Sequence, residues 1–172
     1  GEPGSASGAT TYRGGHPYQA RAETIRVLKE RRRGRRAALA LDFEDTEGRA
    51  WSYAFGARQL EDGTWVPEGG AGTGGRAAGS PAPKPPRSQP WANLGGWSCY
   101  LGGPVHGAGV ELVRLIDGEG TVDEDRVEMG VVLLICEQAP DEGRLELCGK
   151  DGELLATQPW PPGPPLRTRP SG

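Results

Sequence analysis

With 172 residues, a net charge of −3 and three cysteines, the chain is long enough to bury a full core and too cysteine-poor for a disulfide-stapled secreted module. Its pI near 5.5 argues against a dedicated nucleic-acid binder, and no apolar run approaches the roughly 18 residues of a membrane-spanning helix. The 29 glycines and 16 prolines approach the level at which low-complexity segments appear. They gather in residues 1–15, 69–90 and 159–172, which leaves 17–66 and 91–160 as the folded parts of one domain over 17–160.

The net charge hides an asymmetry. Residues 1–90 hold 14 Lys/Arg against 10 Asp/Glu, and residues 91–172 hold 6 against 13, so the two halves can attract each other or face different partners. Only Lys29, Lys84 and Lys150 are lysines. With so much Ala, Gly and Pro, this arginine bias suggests a GC-rich genome, and arginine counts carry little functional weight by themselves.

In chain order, residues 1–16 read as a disordered Gly/Ser/Thr tail. Pro17 stands where a first-turn proline would, and Tyr18, Ala22, Ile25 and Leu28 follow at helical spacing, which predicts an amphipathic basic helix over 17–33 ended by Gly34. The period then changes to two. Leu39, Leu41 and Phe43 face Trp51, Tyr53 and Phe55 across a turn at 45–48, Asp62-Gly63 makes a second turn, and a third strand opens at Thr64. This meander is expected to cover its aromatic face with later strands. The stretch 69–90 reads as a flexible Gly/Pro-rich insertion. Further strands are predicted around 97–101 and 110–116, then a solvated acidic turn over 117–125.

Residues 130–158 carry the clearest fold signal. Val131 to Cys136 is a continuous apolar run, and residues 145–147 and 153–158 return across turns at 139–143 and 149–152 as three consecutive antiparallel strands. Residues 161–172 form a Pro-rich tail. About eight short strands, frequent turns and one helix predict a mainly β domain, an antiparallel β-sandwich or partly open barrel.

Chemistry is hard to find. The acidic segment from Asp117 misses the EF-hand pattern, with Val122 where Gly is required. His16 and His106 share no metal-ligand spacing with Cys or a carboxylate, so neither metal nor cofactor is expected. Cys99 and His106 could form a nucleophile and base only if the fold joined them, which is the small-hydrolase alternative. Cys136 and Cys148 read as small buried hydrophobes that a cross-strand hairpin could also bridge as a disulfide. Sparse cysteines suit a reducing, cytoplasmic setting, although a chain beginning at Gly1 is also compatible with a removed signal or anchor.

Residues 29–36 form the densest charge run, and Arg31, Arg32 and Arg33 within it are candidates for binding nucleic acid or an anionic membrane surface. The competing expectation is that the same cations rest on the acidic second half. Trp91, Trp97 and Trp160 beside Gly- or Pro-rich loops are candidates for stacking on a glycan or a peptide. The expected function is a non-catalytic interaction module for a protein or glycan partner.

Overall fold

A computed structural model of the chain describes residues 10–11, 17–79, 89–118, 120–138 and 142–161. The expected tails over 1–9, 12–16 and 162–172 lie outside the described residues, as do residues 80–88 of the Pro-rich stretch. The described chain is mainly β. Its strands are β1 (Thr10–Thr11), β2 (Pro17–Tyr18), β3 (Arg26–Arg33), β4 (Arg36–Glu44), β5 (Arg49–Gln59) and β6 (Trp65–Ala77). Then follow β7 (Trp91–Ala92), β8 (Gly95–Trp97), β9 (Tyr100–His106), β10 (Leu112–Asp117), β11 (Gly120–Arg126), β12 (Val131–Ile135), β13 (Gly143–Cys148) and β14 (Leu154–Trp160).

Three antiparallel four-stranded sheets carry the fold, and no closed barrel forms. The first runs β3-β4-β5-β6, the second β12-β9-β7 with β8 also on β9, and the third β11-β10-β13-β14. The second is the middle layer. Its strand β12 is buried on both sides, because alternate residues enter different cores. Val131, Leu133 and Ile135 join Tyr100, Ala38, Ala40 and Ala54 under the first sheet. Val132 and Leu134 join Leu101, Val113, Leu115, Leu145 and Leu147 under the third. The six-residue apolar run thus becomes a strand between two layers, as period two requires of a segment with no polar side.

The first sheet shows which face of an alternating strand is buried. The expected register is present, with Leu39 opposite Phe55, Leu41 opposite Tyr53 and Phe43 opposite Trp51. The face turned to the middle layer is nevertheless the small one, Ala38, Ala40, Ala54 and Gly56. A Cβ at Gly56 would stand 2.5 Å from the Tyr100 ring. Small side chains let that ring, itself fully buried, lie flat against the sheet, so the expected covering of the aromatic face by later strands is corrected.

Four further expectations are corrected. Residues 17–33 form no helix: β2, a 3-10 turn at Ala22–Thr24 and β3 occupy them. The helical spacing of Tyr18, Ala22, Ile25 and Leu28 is overridden by the period-two set Lys29, Arg31 and Arg33, whose partners lie on one side of a strand. Residues 69–77 are not flexible insertion but the long second part of β6, paired with β5 through Gln59↔Trp65 to Arg49↔Ala77. Glycine is selected there because the rings of β5 lie across the strand: a Cβ at Gly72 would meet Tyr53 at 2.1 Å, and one at Gly70 would meet both Phe55 and Tyr53 at 3.0 Å.

The predicted hairpin between 131–136 and 145–147 is absent, since β12 pairs with β9 while β13 pairs with β10 and β14. Only the β13–β14 turn forms as expected. Cys136 and Cys148 therefore end strands in different sheets, and both are free and buried, as is the half-buried Cys99 free. Finally, residues 117–118 and 120–125 belong to a β10–β11 hairpin, and Asp123 and Asp125 in it are buried rather than solvated.

Candidate functional site

Strand β3 places Lys29, Arg31 and Arg33 on the same face as Ala40, Ala38 and Arg36 of β4, toward the middle layer. Opposite them β11 presents Asp125 and Asp123, again two residues apart. The two series interlock. Lys29 Nζ lies 2.7 Å from Asp125 Oδ2 with its side chain 3% exposed, and it also donates to the Arg126 carbonyl. Arg31 grips Asp123 with both terminal nitrogens, Nη2 to Oδ1 at 2.9 Å, and its Nε is 3.5 Å from Asp125. Arg33 Nη1 stands 3.4 Å from Asp123.

The ladder also serves the backbone of β12, whose one edge has no strand partner among the described residues. The amides of Leu133 and Ile135 donate to Asp125 and Asp123 at 2.8 Å. The carbonyls of the same residues accept from Arg31 at 2.9 Å and Arg33 at 2.6 Å. Side chains thereby satisfy the groups that a neighbouring strand would otherwise bond. Edges of all three sheets converge on this one network.

Of the predicted cations, then, Arg31 and Arg33 are engaged internally, and the two charge-imbalanced halves of the chain meet here. Arg32 points to the other face, where its guanidinium lies 5.0 Å from the Trp65 ring centre. The tryptophans are half-buried. Trp91 stacks on His106 at 5.4 Å, Trp97 on Tyr100 at 5.7 Å, and Trp160 packs beside the core of the third sheet and over Gly96. The structure brings these six residues to no single surface.

Cys99 and His106 are equally separate. They bracket the extended strand β9, which puts them roughly 20 Å apart at about 3.3 Å per residue. The Cys99 thiol instead lies against the Glu137 carbonyl at 3.4 Å. Among the described residues no group of three His, Cys, Asp or Glu side chains is placed to hold a metal ion, and no helix is long and apolar enough to cross a membrane.

The same face of the first sheet changes character at its far end. Arg36 sits directly across from Arg33 on one side and Arg58 on the other, so three arginines form one cross-strand row. Among the described residues, Arg33 reaches Asp123, while Arg36 and Arg58 reach only Glu68, at 3.9 and 4.0 Å. That carboxylate is shared with the Tyr100 hydroxyl at 2.8 Å, which lies equally close to the Ala57 carbonyl and has one proton for the two acceptors. Burial, and next the bond to Glu68, push the Tyr100 hydroxyl well above its ordinary range. Beside the row a cavity of about 350 Å³ is lined by Arg35, Arg36, Arg58, Gln59, Leu60 and Glu61.

No protein-family model, curated protein or solved structure matches the chain. Sequence reasoning missed Arg58 and the roles of Asp123 and Asp125, yet signals for both were available. Counting three residues from the cross-strand pair Leu39–Phe55 toward the open ends of the β4–β5 arms gives Arg36 and Arg58 as partners. The alternation of Lys29, Arg31 and Arg33 likewise matches the spacing of Asp123 and Asp125.

Proposed function

We propose that the protein is a non-catalytic interaction module that binds a protein partner through the outer face of the β3-β4-β5-β6 sheet. The observation that carries this reading is the exposure of large apolar side chains there: Val27 is 58% exposed and Phe55 39%, with Ile25, just before β3, at 47%. Register places Val27 beside Leu41 and Phe55 beside Leu39, so the apolar positions form adjoining rows rather than isolated points. Contiguous apolar surface of this kind on a globular protein marks recognition sites. Three stacked antiparallel sheets, in the manner of a β-sandwich with an added layer, supply a rigid support for such a face.

The half-buried tryptophans favour a protein over a glycan, because a sugar-stacking platform needs ring faces open to solvent. Two displays of ligands test the reading against the immobilised protein, a random peptide library and a glycan array. Enrichment of peptides whose binding disappears in a Val27→Glu, Phe55→Ser double variant of unchanged melting temperature is expected. Glycan hits without peptide enrichment, or peptides indifferent to both substitutions, would overturn it.

A further inference from the structure

We propose that the mouth lined by Arg35, Arg36 and Arg58 is a binding site for a phosphate monoester carried on a protein chain. The sheet itself poses the problem that this ligand solves. Like charges placed directly opposite on neighbouring strands destabilise a sheet, and here Arg33, Arg36 and Arg58 occupy one row. Burial of Asp123 resolves the conflict for Arg33 alone. Among the described residues, nothing equivalent serves the other two.

Glu68 lies within ion-pair range of Arg36 and Arg58 but beyond hydrogen-bonding distance of either, and its Oε1 is already held against Tyr100. The Nε of Arg36 is buried and has no hydrogen-bond partner among the described residues. A guanidinium is a planar fork of donors that matches the oxygens of phosphate in pairs, and uncommitted forks at a concave surface are the usual means of holding that group. Arg35, on the tight turn between β3 and β4, adds a third fork at the rim, while Gln59 and Leu60 complete the wall. Glu61 is the one acidic side chain lining the mouth, and it limits the site to a ligand that the three arginines attract more strongly than Glu61 repels.

The carrier follows from what surrounds the mouth. A nucleic-acid backbone is tracked by a stripe of cations. The residues that would extend such a stripe, Arg31 and Arg33, are turned inward onto Asp123. A single phosphate held by a few arginine forks, with no run of cations beyond them, is the pattern of a phosphorylated peptide. The choice of carrier rests on the protein-binding reading above; the phosphate site does not.

The experiment has two arms. In the first, the arginine Nε–H signals of ¹⁵N-labelled full-length protein are followed by NMR as inorganic phosphate replaces chloride at constant ionic strength. Saturable shifts confined to Arg35, Arg36 and Arg58, with Kd of about 1 mM, are expected, weakened about tenfold in Arg58→Ala and also in Arg58→Lys, which keeps the charge and loses the fork. Shifts that chloride reproduces, or affinity unchanged in both variants, would overturn the site whatever becomes of the apolar face. The second arm measures phosphoserine and phosphothreonine peptide libraries, their unphosphorylated forms and a single-stranded oligonucleotide by anisotropy. Phosphorylated peptides selected about tenfold over their unmodified forms support the assignment. Tighter binding of the oligonucleotide, with a steep salt dependence lost in Arg58→Ala, would overturn the peptide carrier.

Discussion

Two sets of arginines on one face of one sheet make opposite uses of the same side chain. Arg31 and Arg33 are held by Asp123 and by the backbone of β12, and they join a buried network with Lys29 and Asp125. Arg36 and Arg58, one row further along, share a single distant carboxylate and line an open cavity. The difference teaches that a run of basic residues cannot be read by its count. What separates structure from recognition is whether an acid has been buried to receive the charge.

The sharpest way to break that comparison is to empty the structural side of it. Asp123→Ala strands Arg31 and leaves the Ile135 amide unbonded, and removing one partner of a buried pair costs about 3–5 kcal/mol. Urea unfolding should register that loss, whereas Arg58→Ala should not. A smaller loss tests the packing that brings the layers together. In Gly56→Ala the new methyl would collide with the Tyr100 ring, and overpacking of this order costs about 1–3 kcal/mol by the same measurement.

The buried thiol at the end of β12 gives a pH test on the structural side. Burial, with the nearby Asp123 charge next in weight, pushes Cys136 up to about 11 from an ordinary 9.0. A group with a raised folded pKa contributes stability fully below the unfolded value and loses it as pH rises toward the folded one. Stability should therefore decline between about pH 9 and 11, and Cys136→Ala should flatten that slope relative to wild type. The smallest effect is expected at the recognition end. Arg58→Ala relieves a like-charge pair and should leave stability unchanged or raise it by about 0.2–1 kcal/mol, seen as a melting temperature at or above wild type.

Local patterns were legible where one rule governed. Alternation gave the β4–β5 register, the Asp-Gly turn gave the β13–β14 hairpin, and the unbroken apolar run of β12 announced a strand covered on both sides. Partner choice between distant strands was not legible. Nothing local distinguishes β12 paired with β13 from β12 paired with β9, because the deciding contacts are Gly102 and Gly103 across from Leu133 and Val132. The glycine stretch of β6 misled because its reason lies on another strand, in the rings of Tyr53 and Phe55. The site residues were hidden for the same reason: a basic run looks alike in sequence whether or not Asp123 and Asp125 await it ninety residues later.

The ladder over β12 also has a bearing on how the protein fails. Val131 to Ile135 is a short, uncharged, β-branched and leucine-rich segment, the composition that stacks into fibrils when its edge is open. That edge is closed by carboxylates and guanidinium groups rather than by another strand. It can accordingly be uncovered by loss of the Asp123 and Asp125 side chains, with no strand displaced, and the chain would then self-associate through β12.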